Sequence, residues 1–87
     1  MSVSKDTEKY VANFGKFLKT HREIKGFSAY AVAQKAGVTD NAVRFCEQGK
    51  TLPSLELVTK IALGLELSPS ELLQEYEKTL APHSETM

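Results

Sequence analysis

Asp40, Asn41, Arg44, Phe45 and Gln48 lie in the stretch VTDNAVRFCEQG, residues 38–49, at steps of one, three, one and three. On a helix these five positions share one face, opposite Val43 and Cys46. That face would present an acid, two amides, a guanidinium and a bare phenyl ring. Such a set can trade hydrogen bonds and pack flat against a partner, which is the chemistry of recognition. An exposed phenyl beside polar groups is the kind of patch that marks a binding surface. Catalysis has no support anywhere in the chain. There is no Ser/His/Asp or Cys/His arrangement, no paired carboxylates, no phosphate-gripping glycine loop and no metal-ligand cluster. Cys46 reads as a small core residue and His21 as a packed one. The sequence therefore predicts no enzyme, no cofactor and no metal.

The elements that must carry this face are helices. Period-2 alternation and hairpin turns of the Asn-Gly or Asp-Gly type are absent, while helix punctuation is frequent. The first helix is predicted from about Thr7 to Lys25, ending at Gly26, with the apolar stripe Tyr10, Phe14, Phe17, Leu18, His21 and Ile24. Ser28 caps a second helix, Ala29 to Ala36, that stops at Gly37. Phe27 and Val32 are placed for a hydrophobic staple, as Val38 and Val43 are around the next cap, Thr39. Ser54 caps a fourth helix running to about Gly64, with the inner face Leu55, Val58, Ile61, Ala62 and Leu65; Leu57 and Leu63 fall outside it. Ser68-Pro69-Ser70-Glu71 is a capping box with proline at the first helical position. The fifth helix carries Leu72, Leu73, Tyr76 and Leu80 as core or interface residues. Residues 1–13 read as an extension continuing into the first helix, 14–80 as the domain and 81–87 as a frayed tail.

Eighty-seven residues suffice for one core, and 41% hydrophobic with 25% charged residues is ordinary for a globular chain. No apolar run is long enough to span a membrane, and MSVSKDTEK does not read as a signal peptide. With a single cysteine the chain reads as intracellular, reduced and cytoplasmic. The net charge of zero conceals a split: residues 1–50 hold nine Lys/Arg against five Asp/Glu, and residues 51–87 two against six. A division of this kind suits one side facing a polyanion and another turned from it.

Residues 29–48 meet a joint set of demands. Val32, Ala36, Val38, Val43 and Cys46 are apolar, Ala33 is small, and Gly37 sits where the chain must reverse, a place suited to positive φ. Two helices crossing steeply over a short turn need these residues, so the pattern predicts a helix-turn-helix.

From these residues the chain also resembles a family, the phage Cro- and lambda-repressor-like helix-turn-helix proteins. FGKFLKTHREIKGFS, AVAQKAGVT, CEQGKTLPSLELV and LELSPSELL are similar to that family's segments, in order and spacing, over roughly residues 14–73. The resemblance implies an all-α, five-helix DNA-binding domain whose third helix enters the major groove as part of a dimer on a near-palindromic operator. Thr39, Asp40, Asn41, Arg44 and Phe45 fall where family members touch bases or nearby phosphates. Asn41 would pair with adenine, Arg44 with guanine, and Phe45 would pack on a thymine methyl. Phosphate contacts would come from Ser28, backbone N–H groups at the start of the second helix, Lys35, Gln48 and Lys50. Arg22 and Glu47 resemble the family's internal ion pair.

The departures are Ala29, where members often carry a phosphate-gripping glutamine, Phe45 on the reading face, the more apolar Phe17 and Ile24, and His21 in place of an aliphatic. Asp40 either accepts from cytosine or simply favours the helix dipole. The function implied is a sequence-specific regulator of double-stranded DNA, a homodimeric repressor reading with residues 39–48. The alternative is a protein-interaction module or an antitoxin on the same fold, with a toxin as partner.

Overall fold

Hydroxyl oxygens open four of the five helices. A computed structural model describes residues 3–50 and 52–80, with side chains from Thr7 onward. Its helices are α1 (Val3–Ile24), α2 (Ala29–Ala36), α3 (Asp40–Glu47), α4 (Leu55–Gly64) and α5 (Pro69–Leu80), and no strand occurs among the described residues. Ser28, Thr39 and Ser54 accept hydrogen bonds from the amides of Ala31 (3.0 Å), Ala42 (3.1 Å) and Leu57 (3.0 Å). Ser68 accepts from the Glu71 amide at 3.1 Å, while Glu71 Oε1 accepts from the Ser68 amide at 2.8 Å, completing the capping box. The expected tail, residues 81–87 with His83, lies outside the described residues.

The helices also end alike. After α1, the Phe27 amide donates to the Arg22 carbonyl and the Gly26 amide to Glu23, the paired bonds of a Schellman motif. The same pairs close α2 through Gly37 and Val38, α3 through Gly49 and Lys50, and α4 through Glu66 and Leu67. Glu66 thus takes the left-handed position, at φ 68°, that glycine fills in the other three. Gly64, expected near the end of α4, has a different task. A Cβ there would stand 2.7 Å from the Val32 carbonyl oxygen, so Gly64 is where α4 lies against α2.

The core gathers Leu18, Val32, Val43, Ile61, Leu65, Leu72 and Tyr76, all fully buried. Tyr76 is its aromatic centre, with ring centroids 4.8 Å from Tyr10, 5.1 Å from Phe14 and 5.1 Å from Phe17. Its hydroxyl donates to the Tyr10 carbonyl, and the Tyr10 hydroxyl donates to Glu77 at 3.0 Å, so α5 is sewn onto the first half of α1.

Several expectations change. α1 starts at Val3 rather than Thr7, because neither glycine nor proline interrupts the intervening residues. Ile24 is 78% exposed and Leu55 77% exposed, although both were assigned to inner stripes. Each lies at the edge of its stripe in a terminal turn, where no neighbouring helix reaches over it. Leu57, placed outside the stripe, instead packs against the core.

Candidate nucleic-acid interface

α3 is held from three directions. Gly37 reverses the chain after α2 at φ 74°, ψ 33°, a conformation open to glycine without a Cβ penalty. Ala33 is buried at the α2–α3 crossing, and its carbonyl accepts from the Val38 amide at 3.0 Å. On the α1 side, Gly15 allows close approach: a Cβ there would sit 2.6 Å from the Glu47 carbonyl oxygen and press still more closely on that of Cys46.

An ion pair then fixes the end of the helix. Arg22 Nε donates to Glu47 Oε2 at 2.6 Å and Arg22 Nη2 to Oε1 at 3.0 Å, while Nη1 donates to the Phe27 carbonyl at 2.9 Å. Both side chains are largely buried. The Glu47 carboxylate, through its hydrogen bonds, holds the Arg22 pKa above its usual value. This is a bidentate, charge-assisted clamp joining α1, α3 and the turn before α2.

The inner face of α3 is Val43, Cys46 and Glu47. Burial pushes the Cys46 thiol up to about 11, as expected of a core residue. Facing out are Asn41, Arg44 and Gln48, all exposed, with Asp40 half-buried and Phe45 42% exposed. Asp40 Oδ2 lies 3.7 Å from Arg44 Nε, one turn along the helix. Lys50 Nζ stands 5.7 Å from the centroid of the Phe45 ring, within cation–π range.

Two depressions flank this face. On one side Thr39, Asn41 and Phe45 border a shallow hollow with Leu52, Ser54 and Leu57. On the other, Arg44 and Gln48 border a groove with Lys16, Lys19, Arg22 and Ser28. The structure thus brings Ser28 and Gln48 to the same groove as Arg44. It moves Lys35 elsewhere: its ammonium pairs with Glu66 and lies 5.1 Å from the centroid of the Phe27 ring. α2 turns this residue toward the end of α4, so Lys35, expected among the phosphate contacts, lies outside the groove that Ser28, Arg44 and Gln48 share. Lys16 and Lys19 line that groove too, which the sequence reading does not anticipate. Their signal was the run Ala12, Lys16, Lys19, Arg22 at helical spacing, legible once Arg22 is known to face α3. Ala29 is buried, so no side chain stands where the family's glutamine would grip phosphate.

A family model described as helix-turn-helix domain matches residues 13–74. The chain belongs to this helix-turn-helix family. Its likeness to Cro- and lambda-repressor-like proteins extends to regulators of known name. It is 33% identical over 66 residues to the HTH-type transcriptional regulator SinR of Bacillus licheniformis, and equally to that of Bacillus subtilis (strain 168). The match covers 75% of this chain and 60% of each relative, so the helix-turn-helix chain spans about three-fifths of the length of those proteins. Among solved structures it is similar to the restriction-modification controller protein C.AhdI from Aeromonas hydrophila. There the identity is 32% and the TM-score 0.66, over 71% of this chain and 94% of that one. The clp gene regulator ClgR from Corynebacterium glutamicum shares the fold, with TM-score 0.70 at 23% identity over 85% of this chain and 96% of that one. The helix-turn-helix unit is a DNA-binding regulator domain. No helix among its described residues is long and apolar enough to cross a membrane.

Proposed function

We propose that the helix-turn-helix chain is a cytoplasmic, homodimeric repressor that reads a near-palindromic operator in double-stranded DNA. The observation carrying this reading is the division of α3. Val43, Cys46 and Glu47 anchor the helix, while Asn41, Arg44 and Phe45 face outward and take no part in the core. In the major groove Asn41 meets adenine, Arg44 guanine and Phe45 a thymine methyl, with Thr39 and Asp40 at the leading end. Ser28, the free amides at the start of α2, Gln48 and Lys50 then meet phosphates on either side. Residues 14–80 form the reading body, and residues 1–13 are an extension that continues into its first helix from Val3 onward.

Homodimerisation gives an occupant to Leu52 and Leu55, which are 80% and 77% exposed. They adjoin a depression lined by Tyr10, Val11, Pro53, Val58 and Leu73. A second copy there would pair two reading helices for half-sites about one DNA turn, roughly 34–36 Å, apart. A small controller of the kind named for the Aeromonas protein fits this design.

Phe45 beside Leu52 favours a second reading, a protein-interaction module such as an antitoxin, since the two form an apolar border to the hollow. Selection from a randomised duplex library at two salt concentrations separates the readings. A near-palindromic motif retained less well at higher salt is the expected result, because each phosphate contact contributes a log–log slope near −0.9. No enrichment at either salt, with a toxin co-purifying, would replace the operator reading with the second.

A further inference from the structure

We propose that Lys16 and Lys19 of α1 form a phosphate clamp that grips the DNA backbone alongside α3, extending the contact beyond the helix-turn-helix itself. The inference rests on the DNA-reading role proposed above. Both lysines line the groove that Arg44, Gln48 and Ser28 share, on the flank opposite Phe45. A helix lodged in the major groove has a sugar-phosphate strand on each side. The Lys16–Lys19 flank is where one of those strands would run.

Charge and availability agree with this placement. Glu47 is the groove's one carboxylate among the described lining residues, and Arg22 neutralises it. Four lysines elsewhere are engaged: Lys35 with Glu66, Lys60 with Glu56 at 3.1 Å, Lys78 with Glu75 at 3.2 Å, and Lys25 with the Leu65 carbonyl at 2.7 Å. Lys16 and Lys19 have no ion pair or hydrogen bond among the described residues and are exposed. Three apart on a helix, their Cβ atoms stand roughly 5–6 Å apart, so two flexible ammonium groups can serve neighbouring phosphates. Gly15, by allowing α1 to lie against the backbone of α3, sets the distance between these lysines and the reading face. The burial of Ala29 leaves the first position of α2 without a side chain for phosphate, and the α1 lysines add from next door to what Ser28 supplies.

The test compares salt dependence. Binding to the selected operator and to a scrambled duplex is measured from low to moderate salt for the wild type, for Lys16→Gln/Lys19→Gln, and for the charge-matched control Lys60→Gln/Lys78→Gln. The α1 variant should flatten the log–log slope by about 1.8, at 0.9 per phosphate, and weaken both duplexes by the same factor. Lys16→Arg/Lys19→Arg should restore the slope. Circular-dichroism melts should match the wild type, since the changes are exposed and glutamine is a good helix former. A slope equal to the wild type's, or lowered only as far as the control's, overturns the clamp while leaving the reading of α3 intact. A changed preference between the duplexes also overturns it, by making these lysines base readers. A wild type that binds neither duplex removes the DNA reading and the clamp together.

Discussion

At the scale of single residues, Arg44 stands between a carboxylate of its own helix and the surface it is proposed to read. Arg44→Ala should relax base preference at one operator position at a cost of about 1–3 kcal/mol, measured by competition between single-base variants of the site. Unchanged preference would take Arg44 out of the readout. His21 answers to pH instead. Its Nε2 is buried with no hydrogen-bond partner, and its ring lies 5.4 Å from that of Phe17. Burial, reinforced by Lys25 and opposed by Glu75, lowers its pKa below 6.5. As pH falls through 6.5, the unfolded chain accepts a proton that the folded chain refuses, so stability declines until the folded pKa is passed. The urea midpoint should therefore drop between pH 7 and pH 5. His21→Leu should remove this part of the pH dependence, and an undiminished drop would show that the proton binds elsewhere.

At the scale of helices, starts were legible in the sequence and crossings were not. Ser28, Thr39, Ser54 and Ser68 announce their helices because a cap is a local hydrogen bond between residues three apart. Leu55, Leu57 and Ile24 were misassigned because burial at the edge of a stripe depends on which neighbour passes overhead, and a single helix carries no record of that. That Lys16 and Lys19 line the groove beside Arg44 and Lys35 does not was illegible for the same reason: the direction of α2 and the closeness of α1 to α3 are tertiary facts. Gly64 is the sharpest case. It reads as a helix terminator, yet the left-handed residue is Glu66 and Gly64 marks contact with Val32 and Ala36. Gly64→Ala adds helix propensity but forces α4 off α2. A net loss of about 1–3 kcal/mol is expected in urea titration, whereas a gain would mean that α4 can slide at no cost.

Over the whole molecule, the charge split anticipated from the sequence becomes a spatial one. The groove and reading face belong to α1, α2 and α3, while Glu56, Glu66, Glu71, Glu75 and Glu77 lie on or between α4 and α5. Lys25 and Lys35 tie the two halves together at the end of α4. The exposed Leu55, at the N-terminus of α4, lies on the surface proposed to meet a second copy. Leu55→Glu should leave the melting temperature of the monomer within a few degrees and shift sedimentation from dimer to monomer. A variant that remains dimeric would move the interface elsewhere.

The Asp40–Arg44 pair has a further consequence for how sharply such a protein discriminates. At 3.7 Å the carboxylate is a standing competitor for the guanidinium. In the proposed readout a guanine would have to displace it, which would trim the gain at a matching site; a mismatched base would leave Arg44 with its old companion, which would soften the loss. Selectivity at that base pair would be compressed from both ends. A reader with this built-in rival suits half-sites that are only approximately alike, ranking them in a graded order where an unpaired arginine would accept one and reject the next.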